Sequence, residues 1–266
     1  LKVIPMNDDG ELVMSVYEAL LSERTKLVFV NHISNALGTI NPIKEMIGAA
    51  HQVDAAVLID GAQAAPHLSI DVQELDADFY CISGHKMYAP TGIGALYGKE
   101  EWLNKIPPYQ GGGEMIATVS FEETTYAGLP HKFEAGTPNI AGGVAFKAAI
   151  DWLNETGLEN IAQHENNLLQ YATERLSEID GFRLIGNAPQ KAGVISFIIN
   201  ELHPYDIGMI LDKLGVAIRT GHHCAQPVMD AFCIPGTVRA SLAVYNTKND
   251  VDRLVEGVKK AKSMLS

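Results

Sequence analysis

The chain has 266 residues, 47% of them hydrophobic and 20% charged, which is enough for one large domain or two unequal ones. Its formal net charge is −12 and its lysines and arginines form no basic run, so a phosphate-binding nucleic-acid surface is not expected. The sequence has no apolar run of about 18 residues and begins without a signal-peptide pattern, so we expect a cytoplasmic protein that does not enter a membrane.

The first hundred residues alternate between predicted helices and strands. In order, these are a helix over residues 11–23, a strand over 26–31, a helix over 42–52, and strands over 55–59, 79–82 and 94–97. The run over 26–31 is almost continuously apolar, which is typical of a parallel strand covered on both faces. This alternation predicts an open α/β sheet, in which ligands bind beyond the carboxyl ends of the strands.

Polar side chains follow three of these predicted strands. Asn35, Asp60 and Lys86 all come just after an apolar run, so we expect them at one edge of the sheet. A lysine there can lose contact with water, which lowers its pKa and lets it attack carbonyl groups. Taken alone, Lys86 is more simply interpreted as a surface residue of a loop.

The combination of a carboxylate and a lysine at neighbouring strand ends favours a pyridoxal phosphate (PLP) site. A pyridine aldehyde needs a lysine for the imine and a carboxylate opposite its ring nitrogen, for which Lys86 and Asp60 are candidates. Ser83 and His85 could hold the phosphate, and Gln63 could hydrogen-bond the phenolic oxygen of the ring.

The second half predicts a smaller α/β unit. Residues 99–140 show little periodicity, which is typical of a functional or disordered stretch. The later predicted elements are helices over 144–156 and 158–179, strands over 182–185 and 194–199, a helix over 205–214, strands over 216–219 and 237–244, and a final helix capped by Asn249. We predict two domains, 1–150 and 151–266.

The stretch Arg219 to Pro227 holds two histidines followed by Cys224. A cysteine ahead of a helix and beside imidazoles has a lowered pKa, so a reactive thiol is predicted. A metal site is the alternative, but adjacent histidines diverge and neither CxxC nor i, i+4 spacing is present. Cys81 and Cys233 are interpreted as inert. Arg219 and Arg239 are candidates for binding a substrate carboxylate, or are ordinary surface arginines.

Seven motifs in consistent order resemble one known family. They are Ser-Asn-Ala-Leu-Gly (34–38), Asp-Gly-Ala-Gln-Ala (60–64), Ser-Gly-His-Lys (83–86), Gly-Gly-Gly-Glu-Met-Ile (111–116), Phe-Glu-Ala-Gly-Thr-Pro-Asn (133–139), Arg-Thr-Gly-His-His-Cys-Ala (219–225) and Val-Arg-Ala-Ser (238–241). The chain resembles the group II, SUF-type cysteine desulfurases, which are similar to selenocysteine lyases. These are class V aminotransferases of fold type I, so the resemblance implies a mainly parallel sheet in a large PLP-binding domain and a smaller C-terminal α/β domain.

The resemblance also implies a role for each matching residue. The implied cofactor contacts are Lys86 on the aldehyde, Asp60 on the ring nitrogen, Gln63 on the phenolic oxygen, Ser83 and His85 on the phosphate, Asn35 beside the ring, and Thr137 on the phosphate of the neighbouring subunit of a homodimer. Asn35, Arg219 and Arg239 would bind the carboxylate of L-cysteine. Cys224 would take the substrate sulfur as a persulfide, releasing alanine, and pass it to a SUF-type acceptor for iron–sulfur cluster assembly.

The sequence departs from this family at its N-terminus. The part that precedes Leu1 in the family, including a histidine that stacks on the cofactor, has no counterpart here, so we expect a truncated enzyme with weak or no PLP binding. Three alternatives stay open: an inactive fragment, a selenocysteine lyase, and a metal-dependent hydrolase built on His222, His223 and Cys224.

Overall fold

The computed structural model describes residues 1–266, with two four-stranded sheets, a two-stranded hairpin and nine α-helices. In chain order the elements are α1 (Met14–Leu20), β1 (Leu27–Asn31), α2 (Ile43–His51), β2 (Ala56–Asp60), α3 (Val72–Leu75), β3 (Phe79–Ser83), β4 (Gly94–Gly98), α4 (Glu100–Lys105), β5 (Ile116–Val119), β6 (Thr124–Tyr126), α5 (Ile140–Thr156), α6 (Leu158–Ser177), β7 (Phe182–Ile185), β8 (Val194–Ile199), α7 (Pro204–Lys213), β9 (Arg219–Gly221), α8 (Gln226–Ala231), β10 (Thr237–Ser241) and α9 (Lys248–Leu265). No helix is long and apolar enough to cross a membrane.

The first sheet has the order β1-β2-β3-β4 and is mainly parallel, as predicted. β1, β2 and β3 run parallel, and β4 returns antiparallel to β3. The register pairs Asn31 with Asp60 and Asp60 with Cys81, so the carboxyl ends of the three parallel strands lie at one edge.

In this chain β1 is covered on one face only, so the expected burial of β1 on both faces is not observed. Burial alternates along β1: Val28 is buried, whereas Phe29 is 64% exposed. On β4, Leu96 is 56% exposed on the same face as Phe29. On this face, Phe79 of β3 is buried and packs against Trp102 of α4. The apolar run did not reveal this because strand residues alternate between faces. α2 covers the other face with Ile43, Met46 and Ile47.

The second sheet has the order β7-β8-β10-β9, and all of its pairs are antiparallel. Its apolar face packs against α6, α7 and α9 in a cluster of 18 buried residues, with Phe197 at 0% exposure. Burying each large aliphatic side chain of such a cluster contributes about 1.5–3 kcal/mol to the stability of the fold. This core therefore fixes the strands that carry the loops at the edge of the sheet.

Two predicted strands of the second half were misplaced. The strand expected over 216–219 is observed as Arg219–Gly221, because pairing with β10 begins where Arg219 meets Arg239. β10 ends at Ser241, three residues before the predicted end at 244. Residues 99–140, which show little periodicity in sequence, contain α4 and the β5–β6 hairpin. These elements are too short to produce a clear hydrophobic period.

Helix starts were also misjudged where side-chain caps decide them. The last helix is capped by Thr247, whose hydroxyl and the Asp250 carboxylate form a reciprocal capping box, and not by Asn249. Helix α5 begins four residues before the predicted Val144, because the Asn139 side chain accepts the Gly142 N–H at 2.9 Å.

The loop after β1, residues 34–40, joins the two sheets. Backbone hydrogen bonds run from Ile40 N–H to the Gln190 carbonyl and from Ala192 N–H to the Gly38 carbonyl. The Ser196 hydroxyl of β8 donates to the Ala36 carbonyl. The predicted domain boundary near residue 150 falls inside α5, and it stays a prediction.

Candidate active site

The site begins where β2 and β3 end. Residues paired in register point to the same face of a sheet, as do alternate residues of one strand, so Asp60, Cys81 and Ser83 share the uncovered face. Asp60 Oδ1 accepts the N–H of Ala62 at 2.9 Å and lies 3.9 Å from the Cys81 thiol. Burial and the Asp60 carboxylate raise the pKa of Cys81, which favours the neutral thiol. Asp60 is therefore an exposed acceptor held by its own turn.

The lysine follows β3 immediately. A 3₁₀ turn over Gly84–Met87 carries His85 and Lys86, and it ends at Tyr88 with φ of 65°. The Ser83 hydroxyl lies 2.9 Å from His85 Nδ1, so these two groups, both able to donate hydrogen bonds, are already adjacent. Lys86 is half-buried. The turn therefore places an amine beside a hydroxyl and an imidazole at the end of a strand.

A buried pair, His32 and Tyr80, supports the Asp60 turn and was missed from the sequence. His32 Nδ1 lies 2.9 Å from the Tyr80 hydroxyl, and burial lowers the pKa of His32 to about 4. A Cβ atom on Gly61 would lie 1.9 Å from the Tyr80 ring, so only glycine fits after Asp60. The one available signal was a histidine directly after the apolar run of β1.

The loop between β9 and α8 presents Cys224, which is exposed. Its backbone φ is 60°, and that of His223 is 56°, so two consecutive non-glycine residues occupy the left-handed region. Each costs about 1–2 kcal/mol, and such strain persists only where neighbouring contacts hold it. Arg219 Nη2 donates toward Cys224 Sγ at 3.6 Å. A guanidinium at that distance stabilises a thiolate.

His223 is buried beneath this loop, at 2% exposure. Its Nε2 lies 2.8 Å from the Thr237 hydroxyl of β10, and its carbonyl accepts the Asn35 side-chain N–H at 2.6 Å. Burial and the nearby Arg239 and Arg219 lower the pKa of His223 to about 4, so the ring is neutral. Its Nδ1 is buried without a hydrogen-bond partner.

Two arginines occupy paired positions near the thiol. Arg219 and Arg239 are direct partners in the antiparallel β9–β10 register. Arg239 Nη1 donates to the Asn35 carbonyl at 2.8 Å, whereas its Nε is buried without a partner. Burial and Arg219 lower the pKa of Arg239. Opposed like charges destabilise a sheet, so this arrangement favours a bound anion.

The predicted residues therefore fall into two groups. Asp60, Ser83, His85 and Lys86 lie at the ends of β2 and β3, with Gln63 half-buried on the turn that follows Asp60. The second group consists of Asn35, Arg219, Arg239 and Cys224. Hydrogen bonds join Arg239 to Asn35 and Arg219 to Cys224, and the Asn35 side chain donates to the carbonyl of His223, which precedes Cys224.

Other predicted residues lie elsewhere. Thr137 is exposed in the loop before α5 and makes no hydrogen bond to either group. For the metal alternative, no three His, Cys, Asp or Glu side chains are arranged to hold an ion, and His223 Nε2 is engaged by Thr237. Cys233, interpreted as inert, is exposed.

The donor set of the first group fits PLP. An amine for the aldehyde, an acceptor for the ring N–H, and a hydroxyl with an imidazole for the phosphate lie on consecutive strand ends. The unpartnered Arg239 Nε and the opposed guanidinium pair add a place for a carboxylate. The fold and site define an α/β protein with a lysine at a strand end of its first sheet and an exposed cysteine in a loop of its second sheet.

Comparison with known proteins identifies the family. Residues 1–254 match the sequence family described as "Aminotransferase class-V", and the chain belongs to this family. Proteins named "Cysteine desulfurase" from Enterobacter sp. (strain 638) and Cronobacter sakazakii are 52% and 51% identical over 100% and 97% of the chain. The chain spans 65% and 64% of the length of these two curated relatives.

Solved structures agree with this assignment. The cysteine desulfurase CsdA from Escherichia coli aligns with a TM-score of 0.95 and 38% identity, covering 99% of this chain and 65% of that one. The apo cysteine desulfurase from Thermococcus onnurineus NA1 aligns with a TM-score of 0.94 and 39% identity, covering 100% and 66%. The predicted fold class, that of the PLP-dependent transferases of fold type I, is confirmed, and the family implies PLP as the cofactor.

Proposed function

We propose that this chain carries the lysine and the thiol of a PLP-dependent cysteine desulfurase of the group II, SUF type. The observation that carries the proposal is the exposed Cys224 thiol, 3.6 Å from the Arg219 guanidinium, in a chain that also has Lys86 at the end of β3. The names of the relatives at 50–52% identity support the same activity.

In this proposal the first group of residues holds the cofactor. The Lys86 amine would hold the aldehyde and would move the α-proton of the substrate. The Asp60 carboxylate, already an acceptor for the Ala62 N–H, would hold the protonated ring nitrogen. Gln63 would contact the phenolic oxygen, and the adjacent Ser83 and His85 would bind the phosphate. When bound, PLP supplies an electron sink for the pair released from the α-carbon.

The second group binds the amino acid and takes its sulfur. Arg219 and Arg239, which are partners in the β9–β10 register, would bind the substrate carboxylate. Asn35, whose carbonyl accepts a hydrogen bond from Arg239, would contact both the cofactor and the substrate. The Cys224 thiolate attacks the sulfur of L-cysteine, so that an S–S bond forms while the Cβ–S bond breaks. The electron pair of that bond stays with the three-carbon product, which is protonated and leaves as alanine, and Cys224 keeps a persulfide.

Several wider features belong to the same proposal. Residues 1–150 would form the cofactor-binding part and 151–266 the thiol-bearing part. Thr137, exposed before α5, would reach the phosphate of a second subunit in a homodimer. The persulfide would pass to a SUF-type acceptor protein in the cytoplasm for iron–sulfur cluster assembly.

The test is a persulfide assay on the 266-residue chain supplied with PLP and L-cysteine. Because the sequence predicts weak binding of PLP, the cofactor is supplied in large excess. With PLP bound, we expect alanine release and a 32-Da mass increase, about one sulfur atom, on the peptide that contains Cys224. Cys224→Ser removes both, and the matched control Cys233→Ser retains both, since Cys233 is also exposed. A wild-type chain that binds PLP but forms no alanine would contradict the proposal. The same assay with L-selenocysteine in place of L-cysteine shows which of the two amino acids the chain turns over faster.

A further inference from the structure

We infer that His223 is a positioning residue, which holds the Cys224 thiol against Arg219 through its hydrogen bond to Thr237. The inference deepens the proposed function, because it concerns the thiol assigned there. The thiol loop is strained, so its conformation must be fixed by contacts outside it.

Two hydrogen bonds hold His223, whereas the backbone of Cys224 makes none. The ring Nε2 lies 2.8 Å from the Thr237 hydroxyl, and the carbonyl accepts the Asn35 side-chain N–H at 2.6 Å. His223 is also buried, at 2% exposure. Thr237 belongs to β10 and is itself fully buried. The histidine thus ties the loop to the sheet that carries Arg239, whereas Cys224 has only the Arg219 contact.

The charge around the ring explains why it positions the thiol and does not deprotonate it. Burial and the nearby Arg239, Arg219 and His222 lower the pKa of His223 to about 4, which makes the ring a weak base for a thiol proton. Its Nε2 is engaged by Thr237, and its Nδ1 makes no hydrogen bond to Cys224 or to any other group. What the ring supplies is a rigid anchor for the two left-handed residues.

The experiment measures alkylation of each cysteine by iodoacetamide at pH 7, with neither cofactor nor substrate present. Peptide mapping gives separate alkylation rates for Cys224 and Cys233. Cys233 is also exposed, so its rate serves as an internal reference. Because the readout needs no turnover, it is independent of whether the chain is an active desulfurase.

Thr237→Val removes the hydroxyl and keeps the shape of the side chain, whereas Thr237→Ser keeps the hydroxyl. We expect Thr237→Val to slow alkylation of Cys224 about fivefold relative to Cys233, the effect of losing one hydrogen bond, and Thr237→Ser to leave it unchanged. Equal Cys224 rates in both variants would overturn the inference.

A double-variant cycle separates positioning from general loosening. If His223 acts through the Arg219 contact, Thr237→Val slows the wild type but adds nothing to Arg219→Gln. If the double variant slowed alkylation of Cys224 by the product of the two single effects, the inference would be wrong. Should Thr237→Val fail to fold, His223→Gln and His223→Asn give the same comparison: the Gln amide reaches the position of Nε2 and keeps the rate, and the Asn amide does not.

Discussion

Arg219 and Arg239 stand directly opposite each other across the β9–β10 pair, with the buried Arg239 Nε unpartnered. Two like charges in register destabilise a sheet by up to about 1 kcal/mol, and an unpaired buried donor adds to that cost. A bound anion relieves both. We therefore expect this pair of arginines to stabilise the protein more when an anion is bound.

This opposition predicts a stability effect that depends on added anion. Arg219→Gln should melt at the same temperature as wild type, or slightly higher, in chloride buffer. Sulfate should raise the melting temperature of wild type more than that of the variant, because only wild type holds both guanidiniums. Thermal melts across a sulfate series measure this. Arg183→Gln, an exposed change on β7, should respond to sulfate as wild type does.

The contact between Gly61 and Tyr80 predicts an overpacking effect beside Asp60. Gly61→Ala should destabilise the fold by about 1–3 kcal/mol, since its Cβ would lie 1.9 Å from a ring that is hydrogen-bonded to His32. Urea denaturation measures the loss. Gly48→Ala on α2, with nothing within 4 Å, should instead stabilise by about 0.5–1 kcal/mol. If Gly61→Ala and Gly48→Ala changed the free energy of unfolding equally, the Tyr80 ring would not be limiting the space beside Gly61.

Burial of His32 predicts a loss of stability in mild acid. Its folded-state pKa, about 4, lies below the unfolded value of 6.5, so the unfolded chain binds the proton first as pH falls. The contribution is complete above pH 6.5, declines toward pH 4, and at pH 5 has fallen by on the order of 2 kcal/mol.

Urea midpoints at several pH values between 7.5 and 5 test this. His32→Asn should flatten the decline, although His223, whose pKa is also lowered, keeps part of it. His131→Asn, at an exposed position, should follow the wild-type curve. If the stability of His32→Asn fell with pH as steeply as that of the wild type, groups other than His32 would be responsible for the loss of stability in acid.

His67 and Glu165 form the one pair of a basic and an acidic side chain within 4.0 Å that joins the first 140 residues to the rest of the chain. Glu165 is 3% exposed and its Oε2 lies 2.6 Å from His67 Nδ1. Glu165→Ala should cost about 2–3 kcal/mol, because a buried hydrogen bond is lost and a cavity opens.

The comparison for that variant is the exposed pair Lys147–Asp151, where Lys147→Ala should cost no more than about 0.5 kcal/mol. Denaturation curves of both variants decide it. A Glu165→Ala variant as stable as Lys147→Ala would show that the buried pair contributes no net stability.

The sequence was sufficient for the residues that follow strands of the first sheet. Asp60 and Lys86 could be located because each comes after an apolar run, and parallel strands bring their carboxyl ends together. The roles of these residues stay predictions. The fold class could also be predicted, since strand and helix alternate regularly over the first hundred residues.

What could not be predicted depends on pairing between distant segments. Arg219 lies opposite Arg239 because of the β9–β10 register. The predicted strand over 216–219 ended at Arg219, whereas the observed strand begins there, so the pairing could not be predicted. The Thr237–His223 bond and the Glu165–His67 pair likewise need knowledge of which elements pack together. The exposed face of β1 escaped because a sequence does not state whether helices cover one face or two.

The hydrogen bonds of Asn35 have a consequence for how the molecule folds. Asn35 meets the His223 carbonyl across 188 residues of chain, and Arg239 across 204. Closing such long loops costs entropy that is recovered only when both partners are already in place. We therefore expect these contacts to form late in folding, after each sheet has its own core. The alkylation rate of Cys224 should reach its native value only after the bulk of the secondary structure has formed.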